Sequence, residues 1–168
     1  RFTVCSTDME IVILDETATT APAPASGVCA AVRRPIKGGV WSTLVLPFGM
    51  SAEQVEEAFG DETLLADFTG WEATERNADN SAKTINVSFT STDHIVAHKP
   101  VIIRVQEAID GFAVAGVDIT ANDSPAVTVG TEGTGDYGTF TGTYPSWCPP
   151  NMCSSVTTSS STLPACRP

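Results

Sequence analysis

The sequence predicts a mainly β protein, an antiparallel β-sandwich of the immunoglobulin-like or jelly-roll-like kind with one short α-helix. Runs of β-branched and aromatic residues recur at roughly 8–12-residue spacing, separated by Gly, Pro, Asn and Asp. A single segment, residues 51–60, carries helix signals. The chain has 168 residues, which is enough for one domain with appendages and a buried core.

The predicted strands begin with residues 10–14, which precede a Thr/Ala/Pro-rich linker. Later strands are rich in Val, Ile, Thr and aromatic residues, as strands typically are. They are predicted at 28–34, 40–46, 64–71, 83–89, 100–105, 112–117, 126–129 and 137–144. A hairpin is expected at the turn 37–39. An Asn/Asp-rich turn at 77–81 is expected between the strands 64–71 and 83–89, and residues 109–111 are expected to join the strands 100–105 and 112–117.

The predicted helix has a complete start signal. Ser51 is the N-cap, and Gln54 three residues later completes a capping box. Met50 and Val55 take the two positions of a hydrophobic staple, and Gly60 ends the helix. The buried face is expected to consist of Val55, Ala58 and Phe59.

Four segments are predicted along the chain. Residues 1–16 form a leading strand or the remnant of an upstream module, and residues 17–27 form the linker. Residues 28–144 form the β-sandwich domain, and residues 145–168 an irregular tail rich in Ser, Thr, Pro and Cys. Because the chain opens at Arg1 without an initiator methionine or a signal-peptide pattern, we expect a fragment or a processed product.

The charge of the chain excludes two kinds of partner. The formal net charge is −11, whereas nucleic acids and anionic membranes bind basic surfaces. We therefore expect no nucleic acid and no membrane partner. No apolar run approaches the roughly 20 residues that a membrane-spanning helix needs.

Several motifs are similar to a known module. They are the W-x-T-x-x-L-P-F pattern at residues 41–48 with its flank from Arg34, the helix at 52–60, and the segments 98–104 and 140–144. Through them, residues 28–144 resemble a module repeated in large secreted and surface proteins of anaerobic gut-type bacteria. The resemblance implies a non-catalytic β-sandwich that is extracellular or at the cell surface, and it brings no catalytic residues.

The resemblance ends after Tyr144. Family members continue with a strand pair that opens K-L-V-P, and reading the back-translated tail one base earlier permits that continuation. The hypothesis is that residues 145–168 are a shifted-frame reading, and an in-frame parent gene without K-L-V-P would refute it. The sandwich would then lack its last strands and leave an open edge at which a second chain can pair into a homodimer.

The five cysteines cannot all pair with one another within one chain. Cys5 and Cys29 lie in strand-like stretches, where we expect them to be small buried hydrophobic residues without partners. Cys148 and Cys153 are spaced for zinc in the tail, with Cys166 further on. The alternative for these three is a disordered tail with adventitious thiols or a disulfide.

Asp93, His94 and His98 are the other candidate site residues. An H-x-x-x-H pair shares one face of a helix, but four residues of a strand span roughly 13 Å, too far for two ligands of one ion. A turn, a bulge or a second chain would be needed to bring His94 and His98 together. The alternative is that both histidines are surface residues of a loop.

The tryptophans offer a further candidate, a platform for a sugar. Trp41 and Trp71 lie on predicted strands and are expected in the core instead, and Trp147 lies in the tail.

Two functions follow from these residues. One is a small zinc-dependent hydrolase in which a metal-bound water attacks an activated ester or phosphoester, a small-molecule substrate. Its predicted ligands are His94, His98, Cys148 and Cys153, with Asp93 as the catalytic carboxylate. The alternative is a non-catalytic secreted or surface module that binds or displays a partner.

Overall fold

A computed structural model of the protein describes residues 5–6, 8–15, 22–79, 81–121, 125–130 and 137–142, and the backbone of 155–158 and 161–164. This part of the chain holds eleven strands and one helix, which confirms the mainly β prediction. The helix has eight residues, and no described helix is long and apolar enough to cross a membrane. The elements are β1 (Ile11–Asp15), β2 (Ala25–Arg33), β3 (Ser42–Leu44), α1 (Ala52–Phe59), β4 (Leu64–Arg76), β5 (Ala82–Thr92), β6 (Val101–Arg104), β7 (Phe112–Ile119), β8 (Ala126–Val129), β9 (Gly138–Thr141), β10 (Ser155–Thr158) and β11 (Ser161–Pro164).

The strands form three sheets. The first has the order β1-β2-β7, the second β3-β6-β4-β5 and the third β11-β10-β9-β8. Every named pair is antiparallel except β1 with β2, which is parallel. The architecture is that of a sandwich in which the second sheet is the middle layer.

The predicted turn at 77–81 between two strands is confirmed. β4 and β5 pair across the turn that contains residues 77–81. The hairpin predicted at 37–39 is wrong, because β2 belongs to the first sheet and β3 to the second. Residues 109–111 likewise join strands of different sheets, β6 of the second and β7 of the first. The chain instead crosses between sheets there, with bridges from Ile36 to Ile109 and from Gly38 to Val105. A Cβ on Gly38 would overlap the backbone of residues 106–108, so glycine permits this close approach.

The tail differs from the irregular segment predicted over residues 145–168. The backbone of β10 pairs with β9 and with β11, so this range contains two strands. Both strands hold Thr together with Val or Leu, and Thr and Val fit a pleated strand as well as a loop. Composition alone therefore does not distinguish a strand from a loop in this segment. At the other end of the domain, β2 begins at Ala25, inside the predicted linker over 17–27.

The first and second sheets, together with α1, enclose the larger core. Ser51 caps α1 and the capping box is complete, as predicted. Met50 and Val55 are both buried, which agrees with the predicted staple. The predicted helix face is buried as well. It packs on β7 through an edge-to-face contact between Phe59 and Phe112, whose ring centroids are 4.7 Å apart.

A smaller core lies between the second and third sheets. Its buried residues are Phe68, Trp71 and Phe140, so the core position predicted for Trp71 is confirmed. A bulge between Phe68 and Gly70 adds one residue to β4, which turns Trp71 to the same face as Phe68. The indole of Trp71 lies directly over Gly138, where a Cβ would overlap it.

Two predictions about single residues are wrong. Trp41 is 49% exposed rather than part of the core, and it lies one residue before β3. Cys5 and Cys29 form a disulfide with 5.9 Å between their Cα atoms. The parallel register sets Ile11 opposite Cys29, so the segment before β1 places Cys5 next to Cys29. No local sequence pattern predicts this pairing.

We expect Phe48→Ala to lower the free energy of unfolding by about 3–5 kcal/mol, since the side chain is 0% exposed in the larger core. The matched control is Phe89→Ala, whose side chain is 36% exposed on β5 and should cost less than about half as much. Urea denaturation followed by circular dichroism measures both, and equal losses would contradict the core assignment.

Candidate functional site

The loop from β5 to β6, residues 93–100, carries three of the predicted site residues. Ile95 fixes the loop, because its side chain is buried and its backbone pairs with Met50 in both directions, at 2.8 and 2.9 Å. Further on, Lys99 Nζ donates to Asp67 Oδ2 at 2.6 Å, a half-buried ion pair to β4. The loop is therefore tied to two separate parts of the domain.

Asp93 and His94 form a pair at the surface. Asp93 Oδ1 lies 2.8 Å from His94 Nδ1, and the side chains are 80% and 54% exposed. This hydrogen bond is the main reason that the pKa of Asp93 is lowered from its ordinary value. Because Nδ1 is engaged, Nε2 is the nitrogen of His94 that could bind a metal ion.

His98 is held in a different way. Its backbone has φ 63°, the left-handed region, and its N–H donates to the carbonyl of Leu46 at 2.8 Å. The ring Nε2 lies 2.6 Å from Thr120 Oγ1, and the Thr120 N–H donates to the carbonyl of Pro47 at 3.0 Å. Burial lowers the pKa of His98. His98 thus connects three chain segments.

The rings of His94 and His98 have different hydrogen-bond partners. The ring of His94 is bonded to Asp93, whereas the ring of His98 is bonded to Thr120. Within the described ranges, no group of three or more His, Cys, Asp or Glu side chains could hold a metal ion. Cys148 and Cys153 lie outside the described residues, so the zinc site stays a prediction.

A second surface contains Trp41, which the sequence analysis considered for a sugar platform but expected in the core; its neighbours in this surface were not found by sequence reasoning. The ladders set Ser42 opposite Ile103 and set Leu64 opposite Arg104. Continuing the β3 register by one residue places Trp41 beside Arg104, so Trp41, Arg104 and Leu64 lie in one row across three strands. We call this set the Trp41 row.

The Trp41 row is open to solvent. Trp41 and Leu64 are each 49% exposed, and neighbouring Val40 is 48% exposed. Arg104 Nε donates to the carbonyl of Gly39 at 3.0 Å, which fixes the guanidinium within the row. The third sheet packs on β4 further along that strand, at Phe68 and beyond, and no described part of it is seen to pack on Trp41 or Leu64.

Neither a protein-family model, nor a curated protein, nor a solved structure matches the chain. The resemblance of residues 28–144 to a repeated secreted module and the shifted frame of the tail therefore stay predictions.

We expect His98→Asn to weaken the pH dependence of stability, and Asn is chosen because it tolerates positive φ. The pKa of His98 is lowered in the folded state, so below about pH 6.5 the unfolded chain binds the proton more readily. Stability is then lost as pH falls below that value. Urea denaturation between pH 8 and pH 5 should show a smaller loss for the variant, and equal losses would contradict this role.

Proposed function

We propose that this domain is a non-catalytic β-sandwich module of a secreted or surface protein, and that it binds a neutral carbohydrate through the Trp41 row. The observation that carries the proposal is the half-exposed indole of Trp41, set beside a fixed guanidinium on a sheet surface. Contiguous exposed apolar side chains, such as Trp41 and Leu64 in one row, are typical of binding surfaces.

The disulfide supports an extracellular location. Structural disulfides persist in oxidising compartments and are rare in the cytosol. The Cys5–Cys29 bond joins β2 to the segment before β1, and Cys29 is 1% exposed. A buried structural disulfide of this kind fits the secreted or surface location that the resemblance of residues 28–144 implies.

The chemistry of the row favours a neutral sugar over other ligands. The chain carries a net charge of −11, which disfavours anionic polymers. A tryptophan offers a large apolar face with one polar edge, and Arg104 adds hydrogen-bond donors beside it. Sugar rings present apolar C–H faces together with hydroxyl groups. The row crosses three strands, about 10 Å, which suits a short extended ligand.

We expect Trp41→Ala to weaken binding of soluble neutral polysaccharides by at least about tenfold, which corresponds to about 1.4 kcal/mol. Val96→Ala is the matched control, because Val96 is 47% exposed but lies in the loop from β5 to β6. Affinity electrophoresis against a panel of glucans, mannans and xylans measures retardation. An unretarded wild-type protein, or equal retardation of the Trp41 variant, would refute the carbohydrate proposal.

A zinc-dependent hydrolase is the second candidate, and the Asp93–His94 pair favours it. A histidine that gives its second ring nitrogen to a carboxylate is typical of metal ligands. In this proposal Asp93 orients His94 through Nδ1 at 2.8 Å, and His98, Cys148 and Cys153 complete the predicted ligands. Bound zinc would supply a Lewis acid that activates water towards a small activated ester or phosphoester.

If the protein is a zinc-dependent hydrolase, we expect the purified protein to contain zinc and to hydrolyse a chromogenic phosphotriester. A chelator should lower the rate of this hydrolysis. His94→Ala should then lower both the zinc content and the turnover by at least about tenfold, since a ligand is lost. Glu57→Gln, an exposed change on α1, is the control. Elemental analysis without zinc, together with turnover that chelators leave unchanged, would exclude the hydrolase.

A further inference from the structure

β5 lies at an edge of the second sheet. The sheet has the order β3-β6-β4-β5, so among the described strands β5 is bonded to β4 alone. With eleven residues it is longer than most strands, which have about five or six. The backbone N–H and C=O groups of alternate residues point away from β4 and form a template for a further strand.

This edge lacks the features that normally prevent pairing between sheets. Natural edge strands are blocked by charged side chains, by Pro or by bulges. Residues 84–92 read TINVSFTST, with neither a charge nor Pro. The ladder with β4 is irregular in this range, but the extra residues lie on β4, and β5 carries its own extra residue at Lys83. Nine regular, uncharged residues are therefore set along the edge.

Two apolar side chains of β5 are partly exposed. Val87 is 39% exposed and Phe89 is 36% exposed. The ladder sets them opposite Trp71 and Phe68, so they lie on the face of the second sheet that holds the smaller core. The ring centroid of Phe89 is 6.2 Å from that of Phe140. These two side chains thus continue the smaller core to the edge of the sheet.

The strand is complementary to itself in one antiparallel register. With Ser88 opposite Ser88 of a second copy, Val87 of each chain lies opposite Phe89 of the other. A β-branched residue opposite an aromatic one is a stabilising cross-strand pair. The same register sets Lys83 opposite Asp93 of the second copy, and these side chains are 62% and 80% exposed. Opposite charges therefore face each other at both ends of the paired segment.

We propose that β5 is a homodimer interface, at which two copies of this chain pair antiparallel about Ser88 and join their four-stranded second sheets into one continuous sheet. Residues opposite each other are then an even number of positions apart, so outward-pointing backbone groups of one copy meet those of the other. This edge belongs to the second sheet and is separate from the one that a shortened tail would leave. The inference does not depend on the carbohydrate proposal.

A disulfide between two copies tests the register. The background is the full chain with Cys148→Ser, Cys153→Ser and Cys166→Ser, so that the tail forms no link between chains. Ser88→Cys then sets two thiols opposite each other with about 4.5–5.5 Å between their Cα atoms, which a disulfide can span. Ser88 is exposed and lies opposite Gly70 on β4, so the thiol has room.

We expect Ser88→Cys to give a linked dimer on a non-reducing gel after incubation with oxidised glutathione. Each bond forms from two thiols, and one oxidised glutathione takes up the electrons and protons as two reduced glutathiones. The matched controls are Thr84→Cys and Thr92→Cys, because each lies about 26 Å from its own counterpart in this register. Each alone should give at least about tenfold less linked dimer, whereas a mixture of the two should crosslink.

A change of Val87 tests the apolar pair. Sedimentation equilibrium of the background chain over a concentration series should show a species of twice the 17.6 kDa of one chain. Val87→Lys sets a charge opposite Phe89 and should raise the dissociation constant of the dimer at least about tenfold. Val96→Lys is the matched control, because Val96 is 47% exposed but lies in the loop from β5 to β6, and it should leave the constant unchanged.

Circular dichroism shows whether each variant folds, and the cysteine variants decide the matter if Val87→Lys does not. A chain that stays monomeric at every concentration would overturn the proposal. So would a dimer that folded Val87→Lys leaves as stable as before. Crosslinking of Thr84→Cys alone that equals that of Ser88→Cys would overturn it as well.

Discussion

The fold depends on β4 being buried on both of its faces. Leu65 points into the larger core, whereas Phe68 and Trp71 point into the smaller one. Because side chains alternate along a regular strand, Trp71 would point to the face opposite that of Phe68. The bulge after Phe68 inserts one extra residue into β4, so Trp71 points to the same face as Phe68. The middle sheet can therefore hold both outer layers, and its uncovered end becomes the surface that carries the Trp41 row.

Local signals were sufficient for the local elements. The capping box at Ser51 and Gln54 and the turn at 77–81 both act within a few residues, and both are present as predicted. The partners of β2, β3, β6 and β7 were not predictable, because residues far apart in the chain choose between sheets. The parallel register of β1, and with it the disulfide, belongs to the same class of non-local information.

The candidate surfaces also depend on contacts between residues that are far apart in the chain, which the sequence did not predict. Sequence spacing predicted that one straight strand cannot aim His94 and His98 at one ion, but both residues lie in a loop, and the partner of His98 is Thr120, twenty-two residues away. The Trp41 row was missed because it is made by the register of three strands. A tryptophan beside a strand looks the same in sequence whether a second sheet covers it or not.

The two cores differ greatly in size, with twenty buried residues in the larger and three in the smaller among those described. Among the described residues, fewer buried apolar side chains hold the third sheet than hold the first, and segments with fewer such contacts open at a lower free energy. We therefore expect the third sheet to separate from β4 at a lower free energy than unfolding of the first two sheets requires. Trp71, whose Nε1 has no hydrogen-bond partner in its buried position, would meet water at that moment. Its emission would report the opening of this layer from inside the molecule, as a built-in fluorescent probe.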